Sequence, residues 1–496
     1  MKKIYWIILF LIFGLAYFLR VMYLPKNILT FGYDQARDAI ISQQILKGDI
    51  KIQGPPTSTP GLYHGVFYYY VLAVPYVFSQ DPTVAAYFIA FLNTLTVFII
   101  FALGYFMTKK VWVGLASAFL FTVSFEAVQY ATWLSNPTIG VWTVPLIYLG
   151  LWMWISSKNK FAPTITAIGL GFSIQAEIFL VYHIVPLLIW LFVSRKNITK
   201  KQLFVFGSSL LVVLGTMILN EVKFGFRSLD GIRALALGAD ANLAYAKSVG
   251  DYLILYLNQV GRIFAFNSYP GNIGWAGVAV ISLGIYSLVK KDRIGAFLAT
   301  WLFAHVWVVT VGGTSTPFLM VGIGPAVSLI IAYYLSKLAK LVVAAVLAIM
   351  IFGNISMILR ENSKGATLFA IQKDMLLIKQ LALIDYTYKE AGGKPFSINS
   401  LTSPLWINIV WSYLYQWHGE EKYGYAPCFS GRDQMGQLTA LTSCEKEEAS
   451  HFLILEPMGG IPTRYLDEIL MEEDATSEAI DEKFFGELRV QKRIKL

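Results

Sequence analysis

The sequence predicts an integral-membrane, all-α bundle of about 11 transmembrane helices, followed by a small C-terminal α/β domain outside the membrane. Hydrophobic residues make up 56% of the 496, more than a soluble domain of this length would bury. Many apolar runs approach about 20 residues, which is the length that crosses a bilayer. Charge is also unevenly distributed along the chain. We therefore divide it into a transmembrane part, residues 1–360, and a soluble part, residues 361–496.

The charge distribution separates these two parts. Residues 1–360 hold 26 Lys and Arg against 11 Asp and Glu, whereas residues 361–496 hold 14 against 20. Most cations of the first part lie in short loops, where positive charge orients a membrane protein. The basic excess therefore does not indicate a nucleic-acid partner. The sequence also contains no Walker-type loop and no Cys/His cluster with metal-ligand spacing.

The predicted spans follow the apolar runs in order. They cover residues 4–24, 83–107, 111–125, 138–156, 161–175, 178–193, 203–220, 270–289, 296–312, 317–335 and 339–357.

Loop charges set the predicted orientation. Lys2 and Lys3 precede the first span. Gly14-Leu15-Ala16 loosely fits a signal-peptide cleavage pattern, but it lies inside the apolar run, so the span is interpreted as uncleaved. Every second loop is then basic, and Asp292 is the one acid of residues 1–360 that falls in such a loop. We expect a multi-pass protein of a bacterial-type plasma (inner) membrane, with its N-terminus in the cytoplasm. An odd number of spans places residues 361–496 outside the cytoplasm.

Two outer loops are long, at about residues 25–82 and 221–269. In the C-terminal part, residues 452–455 are predicted to form a buried strand and residues 369–391 a helix that ends at a Gly-Gly pair. Both cysteines, Cys428 and Cys444, lie in this part. A disulfide fits an extracytoplasmic location, but two free thiols fit the sequence equally well.

The first outer loop opens with two carboxylates, Asp34 and Asp38, directly after the first span. On a helix they share one face, since they are four residues apart. One interpretation is structural, with Asp34 capping the helix N-terminus. The other is chemical, with Asp34 as a general base at the membrane surface and Asp38 as a second catalytic acid. The same pair is the one candidate for holding a divalent metal.

Further polar residues on the outer side are candidates for binding substrate. Cations there run against the usual topology bias, and a phosphate ligand would explain them, although contact with lipid headgroups would too. An acid at membrane depth suggests function, although it can also snorkel to the surface, and a lone histidine is more commonly structural. The candidates are Arg37, His64, Glu126, Lys223, Arg227 and Arg233.

Several short motifs resemble those of the GT-C glycosyltransferases. The first loop carries Tyr33-Asp-Gln-Ala-Arg-Asp38 and then His64-Gly-Val-Phe-Tyr-Tyr69, similar to the family's acid-containing segment and its later basic, aromatic stretch. Residues 132–137, 220–226, 411–415 and 423–424 are similar to later family segments. The order of these motifs resembles bacterial members near the protein O-mannosyltransferases and the lipid A aminoarabinose transferases.

This resemblance implies an activity. Family members transfer a sugar from a polyprenyl-phosphate donor on the outer side of the membrane, so a nucleotide-binding motif is not needed. It implies that Asp34 is the catalytic base and that cations or a metal stabilise the leaving phosphate. The expected function is inverting transfer of a hexosyl or pentosyl unit to a hydroxyl of a glycan, lipid or protein. The surrounding membrane lipids are further partners.

Other functions fit a polytopic basic protein. Within the same fold, a lipid A- or oligosaccharide-modifying transferase is the alternative. A lipid-linked sugar flippase or another transporter would be expected to show interrupted helices near the membrane centre. A simple membrane anchor for the C-terminal domain would not need paired acids in the first loop.

Overall fold

A computed structural model shows a mostly helical chain, with 66% of residues in helices, and a small β-sheet. It describes all residues except 1, 58, 158, 237–247, 271–277, 279–281, 288, 307–316, 366, 368–371, 433, 435, 446, 447 and 449.

The first nine helices run from the N-terminus through the first outer loop and into the bundle. They are α1 (Lys3–Val21), α2 (Tyr33–Leu46), α3 (Phe67–Tyr76), α4 (Pro82–Thr94), α5 (Thr96–Thr108), α6 (Val111–Val123), α7 (Phe125–Ala131), α8 (Gly140–Ser156) and α9 (Ala162–Ala176). The remaining helices with assigned bounds are α10 (Ile184–Val193), α11 (Lys200–Val213), α12 (Gly215–Lys223), α13 (Arg227–Ala236), α14 (Val249–Asn267), α15 (Arg293–Leu302), α16 (Gly324–Leu335), α17 (Lys340–Glu361), α18 (Leu377–Ala391), α19 (Ile409–Leu414), α20 (Glu420–Tyr423) and α21 (Thr463–Asp474).

Among the described residues, four helical segments are long and apolar enough to cross a membrane, and six if each bent pair counts as one span. The bent pairs are α6 with α7, at 62°, and α11 with α12, at 57°. Ile178–Val193, α15 and α16 are apolar but shorter. The chain is therefore a multi-pass membrane protein, while the predicted count of about 11 stays unconfirmed. The predicted spans at 270–289 and 296–312 lie partly outside the described residues.

The second outer loop differs from the prediction. Residues 221–269 contain α13 and α14, and α14 is 19 residues long. Val260 and Ile263 of α14 are fully buried in the main apolar core of the bundle. Polar residues such as Gln259 and Arg262 lower the apolar character of this helix, which is why the sequence suggested a loop there.

The C-terminal part contains a five-stranded sheet. Its strands are β1 (Ser397–Leu401), β2 (Cys428–Phe429), β3 (His451–Leu455), β4 (Ser477–Phe485) and β5 (Leu488–Lys495), in the order β2-β1-β3-β5-β4. β1 is parallel to β2 and β3, whereas β5 is antiparallel to β3 and β4. All five residues of β3 are buried, which confirms the predicted strand at 452–455.

The helix predicted at 369–391 ends as expected, because Gly392 adopts a left-handed conformation, with φ of 63°, after Ala391. Its start was predicted too early. Residues 369–371 lie outside the described residues, residues 372–376 are not helical, and residues 375–377 pair with the first outer loop. There, Phe31 N–H donates to the Met375 carbonyl at 2.9 Å, and Leu377 N–H donates to the Leu29 carbonyl at 2.9 Å.

The first outer loop and the C-terminal part share one hydrophobic core. Buried side chains from both parts, including Phe31, Tyr68, Trp411 and Ile454, belong to a single cluster. The sequence treated the C-terminal part as a separate unit, but it is packed directly onto the segment that carries Asp34.

Cys428 and Cys444 form a disulfide, which settles the alternative that the sequence left open. They are the only two cysteines of the chain. A disulfide is expected to persist where the environment is oxidising, which agrees with the predicted outer location of the C-terminal part.

This pairing gives a direct test of topology. A membrane-impermeant maleimide should label no cysteine in intact cells, and should label both after treatment with an impermeant reductant, because the reductant reaches a disulfide exposed outside. A tag fused after Leu496 should be accessible from outside in the same cells. Labelling that requires cell lysis would place this part in the cytoplasm and reverse the predicted orientation.

Candidate active site

Helix α2 begins at the first outer loop, and its start is capped by a side chain that the sequence did not single out. The Gln35 side-chain oxygen accepts a hydrogen bond from Gly32 N–H at 2.9 Å, and the Gln35 amide nitrogen donates to the Leu134 carbonyl at 3.1 Å. This arrangement satisfies a free N–H group at the helix N-terminus. The structural interpretation of Asp34 as the cap is therefore wrong, since Gly32 is the N-cap and Asp34 is the second residue of the helix.

Arg37 lies between the two acids of α2. Its Nη1 donates to Asp34 Oδ1 at 2.7 Å, while its Nε and Nη2 approach Asp38 Oδ1 at 2.8 and 2.7 Å. The Arg37 side chain is only 7% exposed, so this pairing takes place largely out of solvent. The two acids, for which the sequence predicted different roles, are thus bridged by one guanidinium group.

The two acids have different environments. The Asp34 side chain is 57% exposed, whereas Asp38 is fully buried. Burial raises the pKa of the Asp38 carboxyl to about 7, although the adjacent Arg37 charge acts in the opposite direction. One Asp38 oxygen, Oδ2, has no hydrogen-bond partner among the described residues. Asp34 is therefore the acid available to a substrate, and Asp38 anchors the arginine.

A cavity of about 470 Å³ opens beside Asp34. Its wall is formed by three parts of the chain: the first outer loop with α2, the outer ends of bundle helices, and the C-terminal part. The residues of this wall are Thr30, Gly32, Tyr33, Asp34, Gln35, Arg37, Pro56, Thr57, His64, Trp133, Ser135, Asn136, Pro137, Glu177, Phe179, Phe318, Gln372, Met375, Ser403 and Pro404. Polar and aromatic side chains around one exposed carboxylate are typical of a small-molecule binding site.

His64 lies in this cavity, as the sequence suggested, but without the charge expected of a basic residue. Its Nδ1 accepts a hydrogen bond from Ile178 N–H at 3.2 Å. Burial, with the nearby Arg37 charge, lowers the pKa of His64 to about 3, so the ring is neutral. Glu177 is close by, with its Oε1 at 3.6 Å from His64 Nδ1, and it also lines the cavity.

Glu126 does not belong to this cavity. It is buried in α7, at the bend after α6, where Asn267 of α14 donates a hydrogen bond to its Oε2. Ser124 donates to the same asparagine at 2.6 Å. The sequence placed Glu126 at the outer edge with the substrate-binding residues, but in the described chain it connects two helices inside the bundle.

The cations of the second outer loop also lie away from the cavity wall. Lys223, Arg227 and Arg233 are all exposed. The first two stand over the ring of Phe224, at 5.4 and 5.7 Å from its centroid. Within the described residues, Arg37 is the one Lys or Arg that lines the cavity.

The described residues do not fit a divalent metal. They contain no group of three or more His, Cys, Asp or Glu side chains placed to hold an ion. The guanidinium of Arg37 already occupies the space between Asp34 and Asp38, which is where a bridging cation would be needed.

Of the 20 residues of the cavity wall, the predicted site included only Asp34, Arg37 and His64. Three of the polar residues that it left out are Glu177, Gln372 and Ser403. Glu177 gave a usable signal, because an acid directly after an apolar helix is costly unless it has a role. Gln372 and Ser403 gave none. They reach the cavity only because the C-terminal part folds back onto the first outer loop.

The Arg37 cluster predicts a large effect on stability. Arg37→Met should lower the free energy of unfolding by about 3–5 kcal/mol, because it leaves the buried Asp38 carboxylate without its partner. The double variant Arg37→Met, Asp38→Leu should recover much of this loss, since no buried charge remains. Thermal or denaturant unfolding in detergent measures both. A stable Arg37→Met protein would show that Arg37 is not needed to compensate the charge of the buried Asp38.

No protein-family model matches the chain, and no curated protein matches it by sequence. Solved structures do. ArnT from Cupriavidus metallidurans in the apo state matches with a TM-score of 0.60 and 10% identity, over 99% of this chain and 97% of that one. The same protein bound to undecaprenyl phosphate matches with a TM-score of 0.56 and 11% identity, over the same shares, 99% and 97%.

A weaker match is the oligosaccharyltransferase of Archaeoglobus fulgidus in the apo form, with a TM-score of 0.47 and 10% identity over 83% of this chain and 64% of that one. ArnT is a lipid A aminoarabinose transferase of the GT-C superfamily. The similarity to it extends over nearly the full length of both chains, and it confirms at the level of the fold what the motifs around Asp34 indicated. The chain has the GT-C fold.

Proposed function

We propose that this protein is a membrane glycosyltransferase that moves a sugar from a polyprenyl phosphate to an acceptor hydroxyl on the extracytoplasmic side. The observation that carries the proposal is the cavity beside Asp34, with an exposed carboxylate at the first turn of a helix that follows the first span. Support comes from the fold, since the similar ArnT structure was solved with undecaprenyl phosphate bound.

Asp34 has the features of a general base. Its Oδ1 is held by Arg37, which fixes the side chain, and its Oδ2 has no hydrogen-bond partner among the described residues. The carboxylate stands in the first turn of α2, where the positive end of the helix dipole favours negative charge. A base must reach the proton that it removes, and the 57% exposure of this side chain allows it.

The reaction then follows in one displacement. Asp34 Oδ2 takes the proton of the acceptor hydroxyl, and the acceptor oxygen attacks the anomeric carbon of the sugar. The bond between that carbon and the phosphate oxygen breaks, and its electron pair leaves with the polyprenyl phosphate. Because one bond forms as the other breaks on the opposite face, the configuration at the anomeric carbon inverts.

The leaving phosphate needs positive charge. Arg37 is the cation that lines the cavity among the described residues, and neutral polar groups such as Asn136 can donate further hydrogen bonds to the phosphate. Arg227 and Arg233 are candidates at longer range, because α13 approaches the first outer loop. The close approach of Gly61 to the Arg227 carbonyl, 3.3 Å from an ideal Cβ position, shows that the two segments meet.

The test of the proposal is turnover by purified protein in nanodiscs. Incubation with polyprenyl-phosphate hexoses and pentoses, together with an acceptor mixture from the cell envelope, should consume the lipid-linked sugar and release polyprenyl phosphate. A protein that moves the intact lipid-linked sugar between leaflets without breaking the sugar–phosphate bond would instead be a transporter.

Asp34→Asn should fold and bind the lipid donor normally but lose turnover by about 10²- to 10⁴-fold, because an amide cannot accept the hydroxyl proton. The matched control is Asp49→Asn. Asp49 lies in the same outer loop, its side chain is 58% exposed, and it also pairs with a cation, Lys51. Turnover by the control should equal that of the wild type. If a folded Asp34→Asn protein turns over at the wild-type rate, another group is the base.

The double variant Arg227→Ala, Arg233→Ala tests the longer-range cations. Both side chains are exposed, so the unfolding temperature should not change. The KM for the lipid donor should rise, with little change in kcat, if these arginines contact the donor phosphate. Equal donor KM values in the variant and the wild type would leave Arg37 as the phosphate ligand.

A further inference from the structure

The C-terminal part forms a wall of the cavity through one edge of its sheet. Strands β1 and β3 are parallel neighbours, and their last residues, Leu401 and Leu455, are paired in register. Ser403 and Pro404 follow β1, and Glu456 follows β3. The carboxyl ends of parallel strands are where ligands bind in open α/β sheets. Here that edge, through Ser403 and Pro404, faces the cavity that contains Asp34.

Glu456 organises this edge. It is 2% exposed, and its carboxylate accepts three hydrogen bonds from three separate segments. Trp411 Nε1 donates to Oε1 at 3.1 Å, and Ser403 N–H donates to Oε2 at 2.8 Å. Gln372 Nε2 also donates to Oε2, at 3.2 Å, and to the Pro457 carbonyl at 2.8 Å. Two of these three donors, Ser403 and Gln372, belong to the cavity wall.

These hydrogen bonds determine which polar groups of Gln372 and Ser403 remain free to bind a ligand in the cavity. The Gln372 amide nitrogen is used by Glu456 and Pro457, so its amide oxygen remains to accept a hydrogen bond. The Ser403 hydroxyl has no partner among the described residues, and it can donate or accept. The loop that carries Ser403 is held as well, since Thr402 Oγ1 donates to the Pro404 carbonyl at 2.8 Å and accepts from Ile407 N–H at 3.0 Å.

We infer that Glu456 is a positioning residue that holds Gln372 and Ser403 as a binding subsite for sugar hydroxyls, in the wall of the cavity that Asp34 also lines. This inference rests on the proposed function and names the part of the substrate that the C-terminal part recognises. An amide oxygen accepts hydrogen bonds, and a serine hydroxyl both donates and accepts them. A sugar hydroxyl can bind to both groups, because it is itself a donor and an acceptor. The hydroxyls come either from the transferred sugar or from a glycan acceptor.

Burial is consistent with a fixed geometry at this position. It raises the pKa of Glu456 to about 7, with the hydrogen bonds from Ser403, Gln372 and Trp411 acting in the opposite direction. Both oxygens of the Glu456 carboxylate accept hydrogen bonds, Oε1 from Trp411 and Oε2 from Ser403 and Gln372, so the group has one orientation. Glutamine cannot replace it, because an NH₂ group would face a donor.

The test compares Glu456→Gln, Ser403→Ala and Gln372→Leu in the full-length protein in nanodiscs. Each should raise the KM for one sugar-bearing substrate about tenfold, the size of one lost hydrogen bond of about 1.4 kcal/mol. Values of kcat should change much less. A rise in donor KM assigns the hydroxyls to the transferred sugar, and a rise in acceptor KM assigns them to a glycan. Unchanged KM values for both substrates in all three variants would overturn the inference.

Measurements of binding affinity, made without turnover, test this inference separately from the proposed function. Affinity for polyprenyl phosphate that carries no sugar should be unchanged in all three variants, because the subsite does not contact phosphate. Affinity for the same lipid with its sugar, or for the acceptor glycan, should fall. These measurements need no turnover, so the subsite can stand even if the proposed transfer fails. Equal losses for the bare and the sugar-bearing lipid would show general damage to the cavity and would overturn the inference.

Glu473→Gln is the matched control for a merely structural effect. Glu473 is also a buried carboxylate of the C-terminal part, at 7% exposure, and it accepts from Asn399 Nδ2 at 2.6 Å and His451 Nε2 at 2.9 Å. It does not line the cavity. The control should lose stability without a change in KM, whereas Glu456→Gln should change KM in the folded fraction. A KM change of the same size in the control would refute a specific role for Glu456.

Discussion

The contact between the first outer loop and the C-terminal part determines most of the site. The backbone of residues 29–31 pairs with residues 375–377, and Gln380 donates a hydrogen bond to the Phe31 carbonyl at 2.7 Å. This pairing ends one residue before Gly32, where α2 is capped. The direction of α2, and with it the position of Asp34, therefore depends on a contact between segments more than 340 residues apart.

The common core reinforces this constraint. Burial of large aromatic side chains such as Trp411 and Phe31 removes much apolar area from water, and close packing leaves little freedom for the segments that carry them. On this rigid base, Arg37 forms hydrogen bonds with both acids, of which Asp34 is exposed and Asp38 is buried. The resulting site has a single available carboxylate, which is simpler than the paired acids of the sequence motif suggest.

Local patterns predicted a useful part of this structure. Apolar runs predicted membrane-spanning helices, of which the described residues contain four to six, and Gly392 marked the end of α18. The orientation that the basic loops predict stays a prediction. The position of Asp34 after the first span singled out a residue that lines the cavity of the candidate site. These signals are local, because helix length, capping and loop charge are decided within a few residues.

The remainder depends on long-range contacts that one sequence does not display. Gln35 instead of Asp34 caps α2, and nothing in the local pattern distinguishes them. Arg37 looks like any outer-loop cation until the burial of Asp38 is known. Glu126 satisfies the rule for functional acids in membranes, yet it pairs with Asn267 across 141 residues. Glu456 follows an ordinary buried strand, and its role depends on Gln372, which belongs to a different segment.

The division of the cavity wall between the two ends of the chain has a consequence for biosynthesis. Asp34 emerges early during translation, and the Ser403 loop and Glu456 emerge last. During the interval the first outer loop has its acids but not the sheet edge that faces them. A growing chain therefore lacks a complete pocket until the C-terminal part has packed onto the first outer loop.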